Sequence, residues 1–438
     1  MARKMKDSGI EWIGEIPTDF SLYKLKYLLS SPLCYGANES GTLYSDILPR
    51  YIRITDISPN GTLKNSGMLS LDESSAQNYM LHEGDILFAR SGATVGKSFI
   101  YHNYYGRAAY AGYLIKASFN RLVLPEFVYY YTCSSAYEIW KNSIFIQSTI
   151  QNIGADRYSN LPISVPNSID KQLRIVRYLN NFCSKFDAII YNLQTSIEDY
   201  KKLKQAVITQ AIIKGVRGER EMKDSGVAWI GEIPKEWDII KSSRIIKTTQ
   251  NGLSRRDLEK SEGQIILKLK NITSDGKIDY SFLNRITLSQ NELNTYALTT
   301  GDFLFVRVNG SKSLVGKCAI FEAISEIVAY NDHIIRVKLS NQCYNRFFLW
   351  YLYSCCGKAE IDLHTSTAAG QYTISGDGLR DITLVFPPID EQKEIADYLD
   401  AKCAEIDGLI AKKEQLVKEL ESYKKSLIYE VVTGKREV

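Results

Sequence analysis

The sequence predicts an α+β protein made by tandem duplication: two α+β domains, each followed by a long α-helix. The two helices are expected to pair as an antiparallel coiled coil with pseudo-two-fold symmetry. Three observations carry this prediction. Residues 5–17, MKDSGIEWIGEIP, return at 222–234 as MKDSGVAWIGEIP, identical at eleven of thirteen positions, and self-similarity at a fixed offset marks a repeat architecture. Between the repeats, short alternating strand patterns mix with helical aromatic stretches. After each such region comes a run with the apolar spacing of a coiled-coil seam.

The correspondence holds along the chain at offsets between 215 and 221. YIRITDI at 51–57 pairs with ILKLKNI at 266–272, both read as alternating strands, and GDILFAR at 84–90 pairs with GDFLFVR at 301–307. Tyr110, Leu114 and Ile115 match Tyr330, Ile334 and Ile335, and IDKQLRIVRYL at 169–179 matches IDEQKEIADYL at 389–399. FVYYYTCSS at 127–135 and FFLWYLYSC at 347–355 read as helices. Mixed elements of this kind give a compact α+β domain. The expected boundaries are 1–166 for the first domain, 167–215 for its helix, 216–387 for the second domain and 388–438 for the last helix.

Each helix follows a proline, Pro166 or the pair Pro387-Pro388, which suits a helix start. The first runs unbroken to Gly215, and Gly408 alone interrupts the second before Gly434. The predicted seam steps by four and three through Ile175, Leu179, Phe182, Phe186, Ile189, Leu193, Ser196, Tyr200, Leu203 and Val207. Shifted by 220 it reads Ile395, Leu399, Lys402, Ile406, Leu409, Lys413, Leu416, Leu420, Tyr423 and Leu427. Such a 3.5-residue stripe is a coiled-coil seam, and about 40 helical residues span roughly 60 Å. A stripe that long needs a partner of equal length, and the repeat supplies one. Antiparallel pairing relates the halves by a two-fold axis and sets one domain at each end. The alternative is that each helix packs on its own domain. Ser196, Lys402 and Lys413 mark an imperfect seam, or one partly covered by another protein.

Composition narrows the class. A composition of 45% hydrophobic and 24% charged residues is ordinary for a soluble globular protein. No apolar run approaches the length of a membrane span, and MARKMKDSGIEW lacks a signal-like apolar segment. A cytoplasmic location is expected. The eight cysteines form no CxxC pair and the four histidines have no metal-ligand spacing, so no metal site is assigned and the thiols read as buried and reduced. A net charge of +4 permits nucleic-acid binding without arguing for it.

Candidate chemistry fails on spacing. GATVGKS at 92–98 encloses three residues between Gly92 and Gly96, and GSKSLVGKC at 310–318 encloses five, where a phosphate-binding loop needs four before Gly-Lys. Asp390 and Glu391 are adjacent at a helix start and copy one has Lys171 in place of Glu391. That is no nuclease metal cluster, and the helix dipole explains Asp170 and Asp390. No Gly-rich dinucleotide fingerprint, aminomethyltransferase tetrad or GxSxG elbow is present. No catalytic, cofactor-binding or metal residue is assigned.

WIGEIP at 12–17 and 229–234, the GDILFAR/GDFLFVR pair, and PNSIDKQLRIVRYL/PPIDEQKEIADYL before long helices together resemble the specificity subunits of type I restriction–modification systems. The resemblance covers essentially the whole chain. It departs from the family's Pro-Pro-x-x-Glu-Gln pattern in copy one, which has Lys171-Gln172. It implies two target-recognition domains, each reading one half of a split, asymmetric sequence in double-stranded DNA, with the helices as a ruler for the unread gap. It also implies a non-catalytic scaffold for two methyltransferase subunits and for restriction/translocase subunits. ATP, Mg²⁺ and S-adenosylmethionine would belong to those partners.

For DNA contact, readout needs Arg, Lys, Asn or Gln at base edges and basic groups at phosphates. The candidates follow the paired strands into their turns: Arg53, Arg90, Ser91 and Lys97 in copy one, and Lys268, Lys270, Arg307, Asn309, Lys312 and Lys317 in copy two. Arg157 with Tyr158, and Gln371 with Tyr372, are secondary candidates. A solvated surface role is the alternative for each. Arg90 and Arg307 rank first because both copies hold an Arg where an apolar strand meets a turn. A solitary nuclease or methyltransferase, and a coiled-coil adaptor for proteins, are the rival functions.

Overall fold

The structure, a computed structural model, describes residues 3–58, 61–92, 94–146, 152–255, 262–273, 275–368 and 370–438. Helix α1 spans Ile169–Lys214 and helix α2 spans Ile389–Val432. The chain divides into two compact units, Met1–Gln194 with Glu414–Val438, and Thr195–Lys413. Each unit therefore contains the first part of one long helix and the last part of the other.

In the first unit the strands that frame the site are β1 (Cys34–Tyr35), β2 (Arg50–Ile52), β3 (Ile86–Ala89), β4 (Ser98–Ile100), β5 (Ala108–Tyr110) and β6 (Leu114–Ala117). An antiparallel sheet runs in the order β1-β6-β3-β4. In a second sheet β5 lies parallel to β2. The aromatic stretch forms the helix Pro125–Thr132, which buries Phe127, Val128 and Tyr131. These pack with Phe88, Ile115, Leu179 and, from the end of α2, Leu427 and Val431. Each such side chain contributes about 1.5–3 kcal/mol on burial.

In the second unit the corresponding strands are β7 (Ile246–Asn251), β8 (Gln264–Leu267), β9 (Phe303–Val306), β10 (Cys318–Ile320), β11 (Val328–Tyr330) and β12 (Ile334–Leu339), followed by β13 (Gln371–Ile374). The order β7-β12-β9-β10 repeats the first sheet, and β8 and β11 are again parallel. Phe303, Phe305, Ile335, Phe347 and Tyr351 form the core with Ile208 and Ile212 of α1 and Ile395 and Leu399 of α2.

Both units pair the helices antiparallel. In the first, Lys424 of α2 reaches Asp187 of α1 at 2.6 Å. In the second, Lys204 of α1 reaches Asp407 of α2 at 2.6 Å. Asp187 and Asp407 are repeat equivalents, as are Lys204 and Lys424, so one contact occurs once in each unit with the helices exchanged.

The seam differs from its predicted course at several alternate positions along the middle of each helix. Ile189 and Leu203 are 46% and 48% exposed, whereas Ile190 and Ile197 are 9% and 6% exposed. Cys183 is buried where Phe182 was expected and Ile208 beside Val207; Phe182, Phe186, Leu193 and Val207 are half-buried. In α2, Cys403 and Val417 are buried while Leu416 and Tyr423 are exposed; Ile395, Leu399, Ile406 and Leu427 are buried as expected, and Leu409 and Leu420 are half-buried. The stripe is 183, 186, 190, 193, 197, with the same 3–4 alternation one residue along on alternate turns. The polar Ser196 and Lys402 are thus replaced in the seam by Ile197 and Cys403.

Two further expectations are corrected. The strands in YIRITDI and ILKLKNI stop at Ile52 and Leu267 and turn into single 3-10 turns, Ile54–Asp56 and Leu269–Asn271. There the Asp56 and Asn271 side chains accept from the Arg53 and Lys268 backbone N–H at 2.8 and 2.9 Å, a local bond that competes with the ladder. All eight cysteines are free, but Cys34 and Cys355 are exposed rather than buried.

The IDxQ motif also has a physical reason. Gln172 and Gln392 are fully buried. Their Oε1 atoms accept from the Leu124 and Tyr344 N–H at 2.8 Å each. Their Nε2 atoms donate to the Pro166 and Pro387 carbonyls at 3.0 and 2.9 Å. One amide thus ties each long-helix start to the preceding strand end and the aromatic helix.

Candidate nucleic-acid interface

Strand directions bring the candidate loops to one sheet edge in each unit. Because β2 and β5 are parallel, Arg53 and the turn 111–113 leave on the same side. The Ala89↔Leu114 and Phe88↔Ser98 pairings put Arg90, Ser91 and Lys97 there too, and Tyr35↔Ile115 adds the segment after β1. The second unit gathers Lys268, Arg307, Lys317 and the turn 331–333 by the same pairings.

Backbone hydrogen bonds hold this edge identically in both units. The Arg90 N–H donates to the Tyr113 carbonyl at 3.1 Å and the Arg307 N–H to the His333 carbonyl at 2.8 Å. The two arginine carbonyls accept from the N–H of Ile153 and Ile374 at 2.9 and 3.0 Å. The N–H groups of Ala111 and Asn331 donate to Ile52 and Leu267 at 3.0 Å in both. Ala37 and Leu253 donate to the Tyr110 and Tyr330 carbonyls at 2.9 Å in both. Gly36 and Gly252 precede them, where any Cβ would overlap the carbonyls of the facing turn, so only glycine fits. Below the turn, the Tyr110 and Tyr330 hydroxyls donate to the Cys34 and Gln250 carbonyls at 3.3 and 3.5 Å. Burial pushes both phenols well up, so they stay neutral.

On this common frame the side chains differ. The Arg90 guanidinium lies 4.9 Å over the Tyr35 ring, and its Nε is buried with no hydrogen-bond partner among the described residues. The Arg307 Nη1 instead donates to the Asp332 carbonyl at 3.2 Å. Ser91 bridges to Asn152, Lys97 is exposed, and Arg157 is exposed on the turn of helix whose Ala155 N–H donates to the Tyr35 hydroxyl at 3.0 Å. Asn309 pairs with Tyr372, and its Oδ1 accepts from Ser311 N–H at 2.9 Å. Lys270 is exposed with Nζ 5.8 Å over the Phe282 ring.

Arg53, Lys312 and Tyr158 are also engaged within the protein or its core. Arg53 forks onto Asp56 at 2.8 and 3.1 Å and donates to the Gly67 carbonyl at 2.7 Å. The Asp56 carboxylate raises its pKa further. Lys312 lies 3.8 Å from Asp362. Tyr158 is fully buried with its hydroxyl on the Ala89 carbonyl at 3.0 Å, a core residue rather than a surface one, while Gln371 is exposed. The segments 92–98 and 310–318 connect the paired strands β3–β4 and β9–β10, the second through a single 3-10 turn at Lys312–Leu314, and neither leads into an α-helix; Ala93 lies outside the described residues.

The same edge carries Tyr35, Asn38 and the turns 111–113 and 331–333, none of them among the candidates read from the sequence. A signal was available: AYAGYLI and AYNDHII have matching flanks around three residues that all differ. Among the described residues no cluster of His, Cys, Asp or Glu can hold a metal ion, and no helix is long and apolar enough to cross a membrane.

The profile of the family described as Type I restriction modification DNA specificity domain matches residues 44–199 and 234–419. The chain is 24% identical over 316 residues to the type I restriction enzyme StySPI specificity subunit of Salmonella potsdam, covering 72% of this chain and 66% of that protein. It is 25% identical to the EcoKI specificity subunit of Escherichia coli K12 over 66% of this chain and 61% of that one. It is 24% identical to the MjaVIII specificity subunit of Methanocaldococcus jannaschii over 81% and 80%. The chain thus spans about two thirds of the first two relatives. A solved chain, reported under "Structural basis underlying complex assembly and conformational transition of the type I R-M system", shares the fold with a TM-score of 0.72. It does so at 14% identity, over 96% of this chain and 99% of that one.

Proposed function

The chain belongs to the type I restriction modification DNA specificity family, and from that premise we propose that it is the subunit that selects the DNA target. In this reading each unit reads one half of a split, asymmetric sequence in double-stranded DNA, and the helix pair fixes the unread gap. Two methyltransferase subunits and the restriction/translocase subunits assemble on the chain in the cytoplasm, and the chemistry is theirs.

One observation carries the reading: an identical backbone frame occurs twice and presents different polar side chains each time. A shared frame suits two duplex half-sites, and different side chains suit different bases. The proposed DNA contacts are Arg90, Ser91, Lys97 and Arg157 in the first unit. Those of the second are Lys268, Lys270, Arg307, Asn309, Lys312 and Lys317. Arg53, already held by Asp56, positions the edge and offers its remaining exposure to a phosphate.

The test is long-read mapping of N6-methyladenine in host DNA with the gene present and deleted, partner subunits expressed throughout. A split motif with two dissimilar halves that disappears on deletion supports the reading. Unchanged methylation contradicts it and favours a protein-binding adaptor.

A further inference from the structure

Resting on that reading, we infer that the turns 111–113 and 331–333 are specificity-determining elements. We further infer that Asp332 accepts a hydrogen bond from the exocyclic amino group of an adenine or cytosine in the second half-site. The two turns occupy one frame. The Leu114 and Ile334 N–H groups close them on Ala111 and Asn331 at 2.9 and 3.0 Å, and the Gly112 and Asp332 N–H groups both donate to the carbonyl of the residue opposite, Ala37 at 2.7 Å and Leu253 at 3.1 Å. Only the side chains change, from Ala-Gly-Tyr to Asn-Asp-His.

The change is compensated in space. A Cβ at Gly112 would overlap the Asn38 side-chain oxygen, so the Asn38 amide takes the room beside a bare turn. In the second unit the equivalent of Asn38 is the small Ser254, and the bulk moves to Asp332. The polar group has changed element while the backbone beneath has not.

The second turn is chemically unspent. Among the described residues no group donates to the half-buried Asp332 carboxylate, and the buried Asn331 Oδ1 has no partner among them either. His333 is exposed, as is Tyr113 at 64%. Arg307 holds the Asp332 carbonyl at 3.2 Å, fixing the main chain and leaving the carboxylate to act as an acceptor only. In the major groove such an acceptor matches the amino group of cytosine or adenine and opposes the carbonyl edges of guanine and thymine. The first unit has glycine there and lacks this demand.

The experiment uses the full chain with its methyltransferase subunits and maps methylation by long-read sequencing for three chains. These are the wild type, Asp332→Ala, and a graft into the first unit of Asn38→Ser, Ala111→Asn, Gly112→Asp and Tyr113→His. Asp332→Ala removes the acceptor and should lower methylation at wild-type sites about tenfold, with one position of the second half relaxed and no other. The base lost there separates adenine from cytosine. The graft should alter the first half and leave the second intact. Melting curves of the purified chains identify a graft that fails to fold, and the single substitution Asp332→Ala then decides. A split motif that Asp332→Ala leaves unaltered, or alters in the first half, overturns the inference alone. If the wild type methylates no split motif, the functional reading falls and takes the inference with it.

Discussion

The two units build the same layers with opposite chemistry. In the second, the buried Glu360 accepts from Trp229 Nε1 at 3.1 Å and from the Thr383 N–H at 2.7 Å. The buried Glu391 accepts from Trp237 Nε1 at 2.9 Å and pairs with Arg220. In the first, Trp140 stands in the place of Glu360 among Tyr137 and Tyr158, and Trp12 Nε1 is buried with no partner among the described residues. Phe20 replaces Trp237 and Lys171 replaces Glu391. Lys171 and Arg3 lie 5.1 and 5.3 Å over the Phe20 ring and both pair with Asp19. One fold therefore accepts an ionic or an aromatic filling, provided that partners change together. A buried carboxylate is tolerated because its donors are in place.

The comparison breaks most visibly where that condition is violated. Glu391→Ala should cost the second unit about 3 kcal/mol, since the buried Trp237 N–H loses its acceptor and Arg220 is left with Glu236 and the Lys214 carbonyl. Lys171→Ala at the equivalent place in the first should cost no more than about 1 kcal/mol. Hydrogen exchange resolved by segment reads each unit separately, which a single melting curve of a two-unit chain does not.

Where the units agree, effects should be equal. Gln172→Ala and Gln392→Ala each leave a buried N–H and a carbonyl unpaired, so each should destabilise its own unit by roughly 1–3 kcal/mol. Equal losses of exchange protection would support a shared staple; unequal losses would show that the surrounding filling matters more than the bond.

The smallest effect belongs to the helix pair. Lys424–Asp187 and Lys204–Asp407 are partly exposed, and neutralising either should cost below about 1 kcal/mol, less at high salt. Reversing both charges of one pair should restore most of that loss in a double-mutant cycle. No restoration would argue against the antiparallel register.

Much of this was legible in the sequence. The repeat, the long helices and their antiparallel pairing follow from two segments alike at eleven of thirteen positions and a 3.5-residue stripe. The seam slipped by one residue because apolar neighbours compete: Phe182 with Cys183, Ile189 with Ile190. Polarity still pointed the right way, since Ile197 suits a seam better than Ser196, and Cys403 better than Lys402. The placement of Arg90 and Arg307, where a strand meets a turn in both copies, was legible as well. It was not legible at Arg53, whose fork onto Asp56 closes only when the strand becomes a 3-10 turn. Asn38 and Gly112 were hidden because their complementarity spans 74 residues of chain and exists only in the folded edge.

The central claim is that each unit reads its own half-site. The most direct measurement is the methylation motif written by complexes carrying Arg90→Ala or Arg307→Ala, each against wild type. The account predicts that Arg90→Ala weakens or relaxes one half and Arg307→Ala the other, each by about 1–3 kcal/mol of discrimination, with the untouched half and the gap unchanged. If both substitutions blur the same half, or both scale methylation down evenly with no change of motif, the two arginines only hold the DNA backbone and the one-unit, one-half account is contradicted.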